Sequence, residues 1–166
     1  SNGLLTITGK GDMYPYSDID VPEWCNYNEH IKSAKLDVTD ATNLSALFYD
    51  CSILEKVDLS KLDTSKVKYM NEMFDNCTRL KTLNLENFNT KNVMYMDYMF
   101  YKCYNLTSLN LKAFNTSNVT TMEGMFYNCI SLSSLDLSNF NTSNVTTLMG
   151  MFWKCNLLSS LDLSSF

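Results

Sequence analysis

Histidine, proline and glycine are scarce in these 166 residues, with one, two and five copies, and each scarcity excludes something. His30 is the sole imidazole, so a serine or cysteine nucleophile has only one histidine available as its base. Cys25 and His30 form a C-x4-H pair with no third member in evidence, and a histidine on the surface of a cap is the better reading. No C-x-x-C occurs, which together with the single histidine removes the usual zinc ligand sets. Two prolines and five glycines are too few for a disordered linker and mark no seam between domains. Basic runs are also missing. The 13 Lys and Arg are scattered against 18 Asp and Glu, for a net charge of -5, and a nucleic-acid partner needs clustered cations to displace counterions. Membrane insertion is not expected, since no stretch approaches the roughly 18 apolar residues that span a bilayer. The start lacks a basic segment followed by an apolar one. Ser1-Asn2 have the look of a cleaved tag and are set aside.

What is present is a period. Cysteines fall at Cys25, Cys51, Cys77, Cys103, Cys129 and Cys155, each 26 residues after the last. Their neighbours recur too: Leu80, Leu106 and Leu132 lie three residues on, followed by Leu-x-Leu pairs such as Leu83 and Leu85. An aromatic or Leu comes next (Leu62, Phe88, Phe114, Phe140, Phe166), then a block of the type Asn89 to Val93. Each unit closes on Met-x-x-Met-Phe-x-x-Cys, as in Met96, Met99, Phe100 and Cys103.

Two hydrophobic periods alternate inside the unit. Leu83-Asn84-Leu85 alternates with period two and predicts a short strand. Val93, Met96, Met99, Phe100 and Cys103 have offsets 0, 3, 6, 7 and 10, which predict one inward stripe of a short helix. The Asn-Thr pair before it is read as the helix cap, and Gly124 and Gly150 as weak points worth about 1 kcal/mol each. One such unit cannot bury its own apolar faces, but stacked copies can. The expected architecture is therefore α/β: a solenoid with one short parallel strand and one short helix per 26-residue coil. Residues 3–45 are expected to form an N-terminal cap with a first atypical coil, and 46–166 an array whose last repeat is truncated. Because helices are thicker than strands, the sheet should line a concave face.

The string Cys77, Leu80, Leu83, Leu85 resembles the leucine-rich repeat in general. The full unit, with Phe-Asn-Thr-Ser-Asn-Val-Thr-x-Met-x-x-Met-Phe, is similar to the 26-residue repeat of BspA-like bacterial surface proteins, from about Ala46 to Phe166. Gly3 to Met13, Trp24 and Ile31 to Leu36 resemble the capping segment that opens such arrays. The resemblance implies a bacterial protein, at the cell surface or secreted, associated with adhesion. It names no ligand.

No cofactor, metal or catalytic residue is expected. The six thiols are read as free and buried, because cysteines one coil apart would point in parallel and not at one another, as a disulfide requires. Asp58, Asn84, Asn110 and Asp136 share one outward strand position, with Thr82, Ser108 and Ser134 in a second row and Glu86 and Lys112 in a third. Residues copied once per coil reflect the unit's template more readily than a glycosidase acid and base. These rows are the first candidate surface for a protein or glycan ligand. The second is aromatic, comprising Tyr95, Tyr98, Tyr101, Tyr127 and Trp153; packing between coils is its plainer explanation. A passive stalk is the alternative to a binding module. The last unit stops at Phe166, which leads us to expect self-association edge to edge through the final coil.

Overall fold

The structure is a computed structural model that describes residues 2–12 and 21–166; Ser1 of the set-aside pair and Met13 of the predicted cap lie outside the described residues. Three strands, β1 (Leu4–Lys10), β2 (Ser33–Thr39) and β3 (Lys56–Leu62), pair in parallel in the order β1-β2-β3. One 3-10 helix, Glu23–His30, lies between β1 and β2 and is broken at Tyr27. The result is an open parallel sheet continued by a repeating α/β-like arrangement of 26-residue units. In β2, Ala34, Leu36 and Val38 alternate inward and are buried, as a half-buried strand requires.

After β3 the units stay in register. Parallel bridges link Asn43 to Tyr69, Tyr69 to Tyr95, Tyr95 to Thr121 and Thr121 to Thr147, each a step of 26 residues. Inside, equivalent residues stack into columns. The fully buried Phe48, Phe74, Phe100 and Phe126 stand 5.5, 5.8 and 5.7 Å apart, ring over ring. The methionines Met70, Met96 and Met122 are buried in the same core, as the inward stripe anticipates.

The expected helix in each unit does not form. Between the valine and the cysteine the chain runs through tight turns. Two residues per unit, four apart, adopt the left-handed conformation: Glu72 and Asn76, Tyr98 and Lys102, Gly124 and Asn128. Such residues terminate a helix. Alternate amides leave the unit altogether, with Ala46, Phe48 and Asp50 donating to the carbonyls of Asn71, Met73 and Asp75 at 2.9 Å each. The burial pattern was right and the conformation wrong, because turns with bonds to the next unit bury the same offsets. Gly124 and Gly150 are correspondingly not weak points. They occupy the left-handed position, at φ of 57° and 65°, where a Cβ is disfavoured. With no helical layer, the geometric reason for a concave sheet also disappears.

The strand in each Leu-x-Leu segment is a second correction: beyond β3 these segments form no strand and no continuous ladder. Their donors are consumed locally. The Asn84 side chain accepts from the Glu86 amide at 3.0 Å, and Phe88 N donates to Leu85 O at 3.0 Å. In β3 the equivalent Asp58 to Ser60 bond coincides with a register shift against β2.

The Asn-Thr block caps no helix. Its threonine is buried, and the Thr90 hydroxyl accepts from the Asn115 amide at 2.8 Å while donating to the Asn115 carbonyl at 2.9 Å. Thr64 and Thr116 do the same to Asn89 and Asn141. All six cysteines are free. The thiols of Cys77, Cys103, Cys129 and Cys155 also donate to a carbonyl of the preceding unit, Cys77 to Phe48 and Cys103 to Phe74, both at 3.2 Å.

The front of the chain supplies the partners that a preceding unit would supply. Trp24 Nε1 donates to Leu47 O at 2.8 Å, and Asn28 Nδ2 to Asp50 Oδ2 at 2.9 Å. The Asp12 carboxylate accepts from the amides of Thr42 and Asn43 and from the Thr42 hydroxyl. Those three bonds hold the Asp12 carboxyl below its ordinary range against a desolvation penalty that is itself the largest single influence.

Candidate functional site

Two outward surfaces flank the shared core: the strand side and the turn side. On the strand side, Thr82, Ser108 and Ser134 form one exposed row, Asp58, Asn84, Asn110 and Asp136 a second, and Glu86 and Lys112 a third. The predicted rows are therefore brought together. The second row has a local task that sequence reasoning missed. Each of its side chains accepts a hydrogen bond from the amide two residues on: Asp58 from Ser60, Asn84 from Glu86, Asn110 from Lys112, Asp136 from Ser138. This is a turn-stabilising arrangement that Asp and Asn provide more strongly than Ser or Thr. The signal was the strict restriction of that position to Asp and Asn in every copy.

That task also fixes the charge state of the acids. Asp58 and Asp136 accept from the hydroxyl and amide of the following serine, and these bonds hold both carboxyls below their ordinary range. An acid that must donate a proton needs the opposite shift. Neither residue is poised for that work.

Two hollows among the described residues bear on these rows. One, of about 230 Å³, is lined by Asp58, Ser60, Asn84, Glu86 and Asn87 among others. The other, of about 500 Å³, is lined by Glu55, Lys56, Arg79, Lys81, Thr82 and Asn105. Of the second, only Lys56 and Thr82 belong to the predicted rows. Placing each unit under the last puts Glu55 over Lys81 and Lys56 over Thr82, which is how the sequence could have shown it.

On the turn side the aromatic candidates divide into separate columns. Tyr95 stacks on Tyr69 at 5.3 Å, apart from the others. Tyr101, Tyr127 and Trp153 stack in sequence at 4.9 and 4.6 Å. Tyr98 meets Tyr101 edge to face at 5.5 Å, and its hydroxyl donates to Glu123. That bond holds the Tyr98 phenol proton and pushes its pKa up to about 12. The ring that Tyr98 places over Gly124 occupies the space where a Cβ would stand. Rings stacked on one another present edges to solvent and spend their faces on each other. Lys154 sits over Trp153 at 4.2 Å, and Lys102 over Tyr101 at 4.9 Å. The arrangement fits packing between units better than a platform for sugar rings.

One acid interrupts that column. Asp75 occupies the place held by Tyr49, Tyr101, Tyr127 and Trp153 in the other units. Burial, reinforced by Glu72, pushes its pKa up to about 7. A folded value above the ordinary carboxyl value means that folding takes up a proton, so the associated stability is full below pH of about 4 and is lost as pH rises through 7. Asp75→Asn should remove that loss and stabilise the protein at pH 8 by roughly 1–2 kcal/mol, a figure already reduced for solvent screening of a half-buried group. Urea unfolding of both proteins at pH 5 and pH 8 checks this; equal midpoints at pH 8 would refute it.

His30 is exposed, with Nε2 at 3.6 Å from Glu29, whereas Cys25 is buried and its thiol faces the Ala46 carbonyl. Among the described residues, no three His, Cys, Asp or Glu side chains are grouped as metal ligands, and no helix is long and apolar enough to cross a membrane.

The family described as "Mycoplasma protein of unknown function, DUF285" matches residues 22–110 and again residues 80–166. No curated protein and no solved structure matches the chain.

Proposed function

We propose, from the premise that this chain belongs to the family described as "Mycoplasma protein of unknown function, DUF285", that it is a leucine-rich-repeat solenoid acting as a non-catalytic binding module. Its place is the surface of a bacterial cell or the surrounding medium, and its ligand is a protein or glycan. The observation that carries this reading is the strand side. Rows of exposed hydroxyl, amide and charged side chains repeat in register there, beside a hollow of about 500 Å³. Adhesion follows from the resemblance to BspA-like surface repeats. The tyrosine column supports the solenoid and is not the ligand surface.

A panel of matrix proteins and glycans, tested against the parent chain and two variants, checks the reading. Ser108→Arg with Ser134→Arg obstructs the strand side and should weaken a bound partner at least tenfold. Tyr127→Ala should leave its affinity within about twofold after allowance for any unfolded fraction. The opposite pattern would move the site to the turn side. Absence of saturable binding to every panel member would favour a second reading, a passive spacer. That reading has its own support, because the Asp and Asn row is spent on holding turns.

A further inference from the structure

We propose that the larger strand-side hollow is a subsite for the oxyanion group of an acidic glycan, a carboxylate or sulfate, with Arg79, Lys56 and Lys81 as its receptors. The proposal rests on the strand side being the ligand surface and adds the chemistry of the ligand.

Three cations meet one carboxylate in this hollow, Glu55, leaving a local excess of two positive charges in a chain whose net charge is -5. Among the described residues, Lys56 and Lys81 have no ion pair within 4.0 Å, and Arg79 meets Glu55 only at that limit, 4.0 Å. Both side chains of that pair are more than half exposed, so the contact is weak and readily exchanged for a ligand. An arginine fork can take two oxygens of one carboxylate or sulfate at once, and the flanking ammonium groups add charge without fixing direction. The floor is ordered. Asn105 Nδ2 donates to Thr78 O at 2.6 Å, and Thr107 N to Lys81 O at 3.2 Å.

The rest of the face selects a glycan over a peptide. Peptide and protein partners are held chiefly by large apolar or aromatic anchors seated in pockets. Among the described residues, the outward row that continues from Lys56 and Thr82 carries Ser108, Ser134 and Ser160, with Asn84 and Asn110 beside it; the row of Arg79 and Asn105 meets an exposed apolar side chain, Leu157, only two units beyond the hollow. Hydroxyl and amide groups recurring once per 26-residue unit suit a chain of sugar hydroxyls. The neighbouring hollow, with Asp58 and Glu86, is acidic, so a polyanion is confined to the hydroxyl rows and the basic end.

The test is direct binding of three oligosaccharide probes of matched length to the full chain by calorimetry: heparin (sulfated and carboxylated), hyaluronan (carboxylate alone) and dextran (neutral). Heparin or hyaluronan should bind, dextran should not, and affinity should fall with added salt. Arg79→Gln should weaken binding about tenfold, Arg79→Gln with Lys81→Gln further, and Glu55→Gln should strengthen it two- to threefold. Lys154→Gln, on the turn side, should have no effect. Preference for heparin over hyaluronan assigns the subsite to sulfate, and equal binding assigns it to the carboxylate. Equal losses from Arg79→Gln and Lys154→Gln would show diffuse attraction and overturn the proposal. So would dextran binding as well as the acidic probes. Failure of all three probes while a panel protein still binds and is blocked by Ser108→Arg with Ser134→Arg would overturn the glycan assignment and leave the strand-side reading standing.

Discussion

Phe100→Ala should cost about 4 kcal/mol or more, the largest loss expected from any single side chain in the array. The ring is fully buried, with Phe74 covering one face at 5.8 Å and Phe126 the other at 5.7 Å, both nearly parallel to it. Truncating a buried Phe typically costs about 3–5 kcal/mol in transfer and cavity terms. Two ring contacts disappear as well, each worth roughly 0.5–1.5 kcal/mol beyond burial. Relaxation is blocked, since collapse of one unit would pull its in-register neighbours off their own partners. Phe100→Leu keeps most of the volume and should lose about half as much. Urea unfolding supplies the number, and a loss below about 2 kcal/mol for the alanine variant would contradict the column. Hydrogen exchange should accelerate on both sides of the lesion, because each unit depends on the units it touches.

Thr90→Val should cost about 2–3 kcal/mol although it changes the shape of the side chain very little. The hydroxyl closes both polar groups of Asn115, accepting from its amide and donating to its carbonyl, inside a site where Thr90 is 1% exposed. A valine in that place leaves both unpaired, and each abandoned group costs on the order of 1–3 kcal/mol, less where water reaches it. Thr90→Ser retains the hydroxyl and should stay within about 1 kcal/mol of the parent. If valine and serine destabilise equally, the threonine serves as a methyl-bearing filler and the double bond is unimportant.

These two residues also mark what was legible in the sequence. The 26-residue period and the buried set, Met96, Phe100, Cys103 and Leu106 among them, follow from spacing alone, since any in-register stack must point equivalent residues inward. Conformation did not follow. Offsets of 0, 3, 6, 7 and 10 suit a helical stripe, but a run of turns with a left-handed residue every fourth position buries the same residues. Glu72 and Lys102 carry no mark of positive φ, whereas Asn76 is of a type that tolerates it. The clue lay in Gly124 and Gly150, two glycines one period apart at the place where other units have Ala46, Glu72 and Tyr98. On the strand side, the exposed rows were readable from alternation. The basic hollow was not, since Arg79 and Lys81 meet Lys56 only once one unit is laid against the next. The division of the tyrosines had the same cause: Tyr95 and Tyr98 are close in sequence but stack on different neighbours.

Thr64, Thr90 and Thr116 tie one unit to the next through a few short bonds that recur at three successive junctions. Tension applied between the two ends of the chain therefore falls on the outermost junction first and peels one unit at a time. Each rupture frees 26 residues, roughly 85–95 Å of slack chain. The force needed is set by one junction, however many units are stacked, while the distance over which the load is absorbed grows with their number. A tether built this way yields in even steps and does not snap, and re-stacking of the freed unit restores its length when the pull relaxes.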